Sequence, residues 1–191
     1  VARVSDGSII TTGASNVSAE HKLSRRNLTG AAVAGGTAVG GAFALTLSNA
    51  RVSAELLNGS LNAAALDISA KSGNLNSNAP AVDVHSLSGT AGFLGALGAA
   101  VGVAVMNNSV NVGLDGAVTT SGLLKGSAED SQSILVKSLG AAGGGAAAGL
   151  VLGVAAHDSV VSLTVDDNAV LNAGADLELA SSSQGAVELS G

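Results

Sequence analysis

Cysteine, tryptophan and tyrosine are absent from this 191-residue chain, proline occurs once, at Pro80, and the only aromatics are Phe43 and Phe93. Without cysteine there is no disulfide scaffold. Without Trp or Tyr there is no interfacial belt to seat a membrane protein, and few platforms on which nucleic-acid bases could stack. Charge is also scarce: 12% of residues are charged, and 8 basic against 14 acidic side chains give a net charge of −6. That sign repels a phosphate backbone, so nucleic acid is excluded as a partner. The opening VARVSDGSII has no basic stretch followed by an apolar one, so no signal peptide is read there and the chain is expected to be a mature protein or an excised segment. What is abundant is small: glycine fills 27 positions, yet 47% of the chain is apolar and mean hydropathy is +0.47, too apolar for a disordered segment.

Internal similarity organises the remainder. An apolar Gly/Ala run ends in a small polar cluster, followed by an alternating strand, an Asp/Asn turn and a second alternating strand. GGTAVGGAFALTLSNA (35–50) leads into 51–72, AGFLGALGAAVGVAVMNNS (91–109) into 110–131, and GAAGGGAAAGLVLGVAAHDS (140–159) into 160–183. Residues 6–20 match the second half of such a unit. The turn markers Asp6, Asn58, Asp115 and Asp167 stand 52, 57 and 52 residues apart, and the cluster markers Asn49, Asn108 and Asp158 stand 59 and 50 apart. The varying length places extra residues in loops, for instance 75–89. Asp6-Gly7, Asn58-Gly59 and Asp115-Gly116 are dipeptides that tolerate positive φ, as turns require.

Within each unit the apolar period is two: Phe43, Leu45 and Leu47 alternate with Ala and Thr, Val101, Val103 and Val105 with Gly and Ala, Val110, Val112 and Leu114 with Asn and Gly, and Val161, Leu163 and Val165 with Ser and Thr. Period two is the mark of a half-buried strand. Repeating short strands bury their inner face only by stacking on copies of themselves. The expectation is therefore an all-β parallel β-solenoid of about three and a half imperfect repeats of 50–59 residues. It forms one segment over 1–191, with an aliphatic interior and about two coils per repeat at the coil length of short solenoids. Its open ends would have to be capped or continued.

The charge-free stretches between Arg26 and Arg51, Asp83 and Asp115, and Lys137 and Asp158 are long enough to span a bilayer, and they hold small-xxx-small pairs: Gly36 with Gly40, Gly98 with Gly102, Gly149 with Gly153. Against insertion as helices stand their Gly/Ala content, the missing aromatic belt and the period-two placing of the large residues.

GALGAAVGVAVMNNSVNVGLDGAVTTSG (95–122), with its counterparts along nearly the whole chain, resembles the repeats of leukotoxin-type filamentous adhesins of Gram-negative bacteria. The resemblance implies a β-helical rod on the bacterial surface or outside the cell: a non-catalytic stalk or filament segment without a cofactor. The expected partners are other copies of itself or adjoining repeats end to end, and a host or neighbouring cell surface. The alternatives are a membrane-inserting toxin segment using the Gly/Ala runs and a carbohydrate-active β-helix protein.

No chemistry-bearing motif competes with this reading. His21, His85 and His157 lie in no HxxxH, HExxH or GxSxG context. His157 fills the cluster slot held by Asn107 and Ser48 elsewhere and is read as a turn residue. Asp166, Asp167 and Asp176 match neither the EF-hand loop nor the GGxGxD repeat and read as a solvated turn. No catalytic, cofactor or metal residue is nominated. One asymmetry stands out: residues 1–71 carry six basic against four acidic side chains, whereas 126–191 carry Lys137 alone against eight acidic ones. Opposite charge at the two ends would steer head-to-tail growth.

Overall fold

A computed structural model describes residues 1–74 and 79–191. Every regular element in it is a strand: β1 (Ala2–Ser5), β2 (Ser8–Ile10), β3 (Ala14–His21), β4 (Arg25–Ala63), β5 (Ala65–Gly73), β6 (Val82–Thr120), β7 (Leu124–Gly144), β8 (Ala147–Val165), β9 (Val170–Ala173) and β10 (Leu177–Ser190). All pair in parallel. Ala2 lies on Ala54, Ala54 on Val112 and Val112 on Leu163, so the chain returns to the same column after 52, 58 and 51 residues. The result is a parallel β-solenoid in which one turn consumes a whole sequence unit. The expected two coils per unit is thus corrected to one. Each coil is wide because half of it is a flattened excursion in which the chain runs out and folds back on itself.

That excursion, here termed the fin, starts from β4, β6 and β7 in successive layers. Its returning limb belongs to β4, β6 and β8, and its tip lies at Gly35-Gly36, Phe93-Leu94 and Gly145-Ala146. The two limbs face each other through small side chains. Ser86 donates to Ser138 Oγ (2.9 Å) within one wall, and Ser138 donates across to the Leu152 carbonyl (3.0 Å). In the lowest layer Asn27 Nδ2 donates to the Leu45 carbonyl (2.9 Å). The opposing walls are so close that a Cβ added at Gly102 would lie 2.8 Å from Val136 Cγ1 and 2.9 Å from Ser138 Oγ. Near the tip, Gly144 has φ 150, where an L side chain would run into the Gly92 carbonyl.

Here the sequence expectation of an aliphatic interior fails locally. Inside the fin sit Ala42, Ala44, Thr46, Ala100, Gly102 and Ala104, while Phe43, Leu45 and Leu47 point outward with Val101, Val103 and Val105 in the same columns. Alternation specifies two faces but not which is inside. Close apposition of two sheets selects the small residues for the interior.

In the body of the coil the expected polarity holds. Val110, Val112 and Leu114 are buried together with Leu56, Leu66 and Ile68, and Val161 and Leu163 of the top layer pack on them. A second apolar cluster, around Val82, Val84, Met106, Ile134 and Val136, occupies the base of the fin. Ile68 is fully buried, so Ile68→Val is expected to lower unfolding free energy by about 1 kcal/mol, measured by urea titration.

Coil-length differences map to particular places. Arg25 pairs with Val82 where His21 pairs with Ser72, so about six extra residues fall between Ser72 and Val82. Of the loop expected at 75–89, residues 75–78 lie outside the described residues and 82–89 belong to β6 rather than to a loop.

Candidate functional site

The turn residues singled out in the sequence stack in one corner of the coil. Asp6 and Asn58 adopt φ of 50 and 49, and Gly116, with φ 154, pairs with Gly59. Ser60 N donates to the Gly7 carbonyl (2.9 Å), and Asp115 pairs with Leu57. In the top layer Asp166 and Asp167 close a turn, the Ala169 amide donating to the Asp166 carbonyl (2.9 Å) and the Asp167 amide to Asp166 Oδ1 (2.7 Å). The corner is where Asp6 and Asn58 reach left-handed backbone angles and where, in the top layer, the Asp166 carboxylate captures the amide of the next residue.

The cluster markers separate. Asn49 and Asp158 share an outward column with Asn107, whose Nδ2 donates to Asn49 Oδ1 (3.1 Å). Asn108 is one position further on, under Ser159, and points into the core. His157 is likewise no turn residue: it lies in β8, in the column of Ser48 and Met106, with its ring facing inward.

Asn108 and His157 meet at a carboxylate that sequence reading passed over. Asp130 is fully buried. Its Oδ2 accepts from Ser159 Oγ (2.6 Å), and its Oδ1 accepts from Asn108 Nδ2 (3.3 Å) and Gln132 Nε2 (3.2 Å). Gln132 Nε2 also donates to Ser72 Oγ (3.0 Å), and His157 Nε2 stands 3.4 Å from Asp130 Oδ2, an ion-pair distance without hydrogen-bond geometry. This polar seam divides the two apolar clusters. The signal for it was parity: in the inward series Ala104, Met106, Asn108, Val110, the asparagine interrupts an otherwise apolar face. Ser159 and His157 both approach the same carboxylate, so the relay order of a nucleophile, base and acid is not formed.

Other chemistry-bearing residues stay dispersed. His21 is exposed at the end of β3, and His85 Nε2 lies 2.6 Å from Asp83 Oδ1 on the outer surface. Among the described residues no group of three or more His, Cys, Asp or Glu side chains comes together in a metal-binding arrangement. The three charge-free stretches form strands of the fin, and among the described residues no helix is long and apolar enough to cross a membrane.

The surface features with functional content are two. The first is the outer face of the returning limb. Its columns read Val39, Leu97, Ala148; Gly41, Ala99, Leu150; Phe43, Val101, Leu152; Leu45, Val103, Val154; Leu47, Val105, Ala156. No charge interrupts this face. The second is the pair of end coils, each with a row of unpaired strand edge. Arg3, Lys22, Arg25, Arg26 and Arg51 lie in the lowest coil with Asp6 and Glu20, whereas Asp158, Asp166, Asp167, Asp176, Glu178 and Glu188 lie in the uppermost without any Lys or Arg. Inside the solenoid, charge alternates up the columns: Glu20, Lys71 and Glu129 stack, as do Asp67, Lys125 and Glu178, and Lys71 Nζ lies 3.2 Å from Glu129 Oε2. In the lowest layers Arg3 pairs with Glu55 (2.6 Å) and Arg26 with Asp83 (3.5 Å).

Compared with protein-family models, curated proteins and solved structures, the chain matches none.

Proposed function

We propose that the chain is a structural stalk or filament segment of a bacterial extracellular or cell-surface adhesin. It is non-catalytic, built from about three and a half imperfect repeats of 50–59 residues, and continued end to end by adjoining coils or by other copies of itself. The observation that carries this reading is the parallel ladder that runs through every layer, shifting register at Gly35/Thr37 and Leu57/Gly59, and ends in two open edges of opposite charge. An open parallel edge is a template for a further strand. Within the solenoid, opposite charges already lie on one another from coil to coil, so a basic lower edge meeting an acidic upper edge repeats a contact the fold uses internally. The likeness of 95–122 to leukotoxin-type repeats supports the same reading.

The test is electron microscopy with sedimentation at about 0.05 and 0.5 M salt. Rods that lengthen with protein concentration and form more slowly at high salt are expected, since the Debye length shrinks from about 14 to 4 Å over that range. Short particles whose length ignores both concentration and salt would overturn the reading.

A further inference from the structure

The two outer faces of the fin differ in relief. On the returning limb the eight large residues Val39, Phe43, Leu45, Leu47, Leu97, Leu150, Leu152 and Val154 are 41–68% exposed, side by side in three stacked layers. At roughly 150 Å² for each large side chain, the lower end of the aromatic range, they present about 650 Å² of apolar surface. That exceeds the few hundred Å² a monomer ordinarily leaves in water and approaches the roughly 800 Å² per partner of a standard interface. The outgoing limb carries its raised residues only toward its base, where Leu28, Leu87 and Leu139 are 39–63% exposed. Its outer positions near the tip are Ala32, Ala34, Gly89, Ala91, Ala141 and Gly143, which line a shallow apolar depression.

We propose that this fin is a lateral docking surface for a second copy of the chain, the aliphatic face of one fin seating on the Gly/Ala face of the next. Three observations select that occupant. The faces are complementary in shape near the tip, one raised by Leu and Phe and the other a shallow Gly/Ala depression bordered on its base side by Leu28, Leu87 and Leu139. Neither carries charge along the stretches that match: the sequence holds no charged residue from 27 to 50 or from 84 to 114, and none from 138 to 157. The exposed area suffices for a weak protein–protein contact. A lipid surface fits less well, because the chain lacks Trp and Tyr and its net charge of −6 opposes anionic headgroups. Because the two faces are different patches, the contact is heterologous, and each copy that offers one face keeps the other free. Fins therefore associate side by side in open runs. This contact does not depend on the end-to-end growth proposed above and responds to salt in the opposite sense, since burial of apolar surface is strengthened by sulfate.

The experiment uses the full 191-residue chain and two variants, each altered only at outward positions: Phe43→Lys with Leu152→Lys on the raised face, and Ala32→Lys with Ala141→Lys on the flat one. Circular dichroism establishes that strand content is retained. Sedimentation velocity in sodium sulfate, from about 1 μM to 1 mM, should show concentration-dependent association of the native chain. Each variant alone should associate at least tenfold more weakly. Mixing the two variants should restore one lateral contact between a copy of each, and give association stronger than that of either variant alone, because each retains the half that the other lost. A native chain that stays monomeric throughout overturns the proposal. So does a flat-face variant that associates in sulfate as strongly as the native chain, which would mean raised face on raised face, or a native chain that floats with phosphatidylglycerol vesicles in place of self-associating.

Discussion

Asp130→Ala is expected to lower unfolding free energy by about 3–5 kcal/mol, while Asp130→Asn is expected to stay within about 1 kcal/mol of the native chain. The difference follows from the hydrogen-bond inventory of the seam. Alanine removes an acceptor shared by Ser159, Asn108 and Gln132 at once: Gln132 keeps Ser72 and the half-buried Ser159 can turn to water, but the buried Asn108 amide is left without a partner and a cavity opens where the carboxylate stood. Asparagine brings an amide in place of one carboxylate oxygen, and the seam holds two acceptors to receive it. Asn108 Oδ1 and Gln132 Oε1 have no hydrogen-bond partner, so each amide can turn over to present its oxygen. Ser72 can donate to Gln132 as readily as it accepts from it. Urea denaturation of the three proteins decides the matter. Equal losses for both variants would mean that the negative charge itself, and not the bonding pattern, holds the seam together.

Gly102→Val should be comparably damaging, about 3 kcal/mol or more, with Gly102→Ala at about 1–3 kcal/mol. Valine is a better strand former than glycine, so propensity alone predicts a gain. The opposing wall reverses the sign, because the first added carbon already meets Val136 and Ser138 at under 3 Å, and the branched methyls have no room beyond it. Gly113, on the same strand but facing outward, is the control. A Cβ there would meet Glu55 and Asn111 only at ordinary contact distance, 3.5 Å and beyond. Gly113→Ala should be neutral or stabilising by a few tenths of a kcal/mol through the unfolded chain. If thermal melts rank Gly102→Val no worse than Gly113→Ala, the fin walls are not as tightly apposed as described.

Period-two alternation, turn dipeptides and self-similarity at about 50 residues sufficed to read an all-β solenoid, and the corner of Asp6, Asn58, Gly116 and Asp167 was visible as a series of turn markers. The length of a coil was not visible, because the sequence marks where a unit recurs but not how often the chain reverses within it. The Gly/Ala runs held the missing reversal. They looked like ordinary inward-facing aliphatic strands with small spacers, whereas two walls folded together need the spacers inside.

Sequence by itself determined the class of structure, since strand periodicity and turn chemistry are local properties of neighbouring residues. It also determined the gradient of charge from one end to the other, which needs only an ordered ladder to become a gradient in space. Tertiary structure alone decided which face of each strand is interior, because that depends on how close the opposing wall stands. For the same reason it alone gathered Asp130, Asn108, His157 and Ser159, residues up to 51 apart in the chain, into one seam, and turned the largest aliphatic side chains of the fin toward the outside.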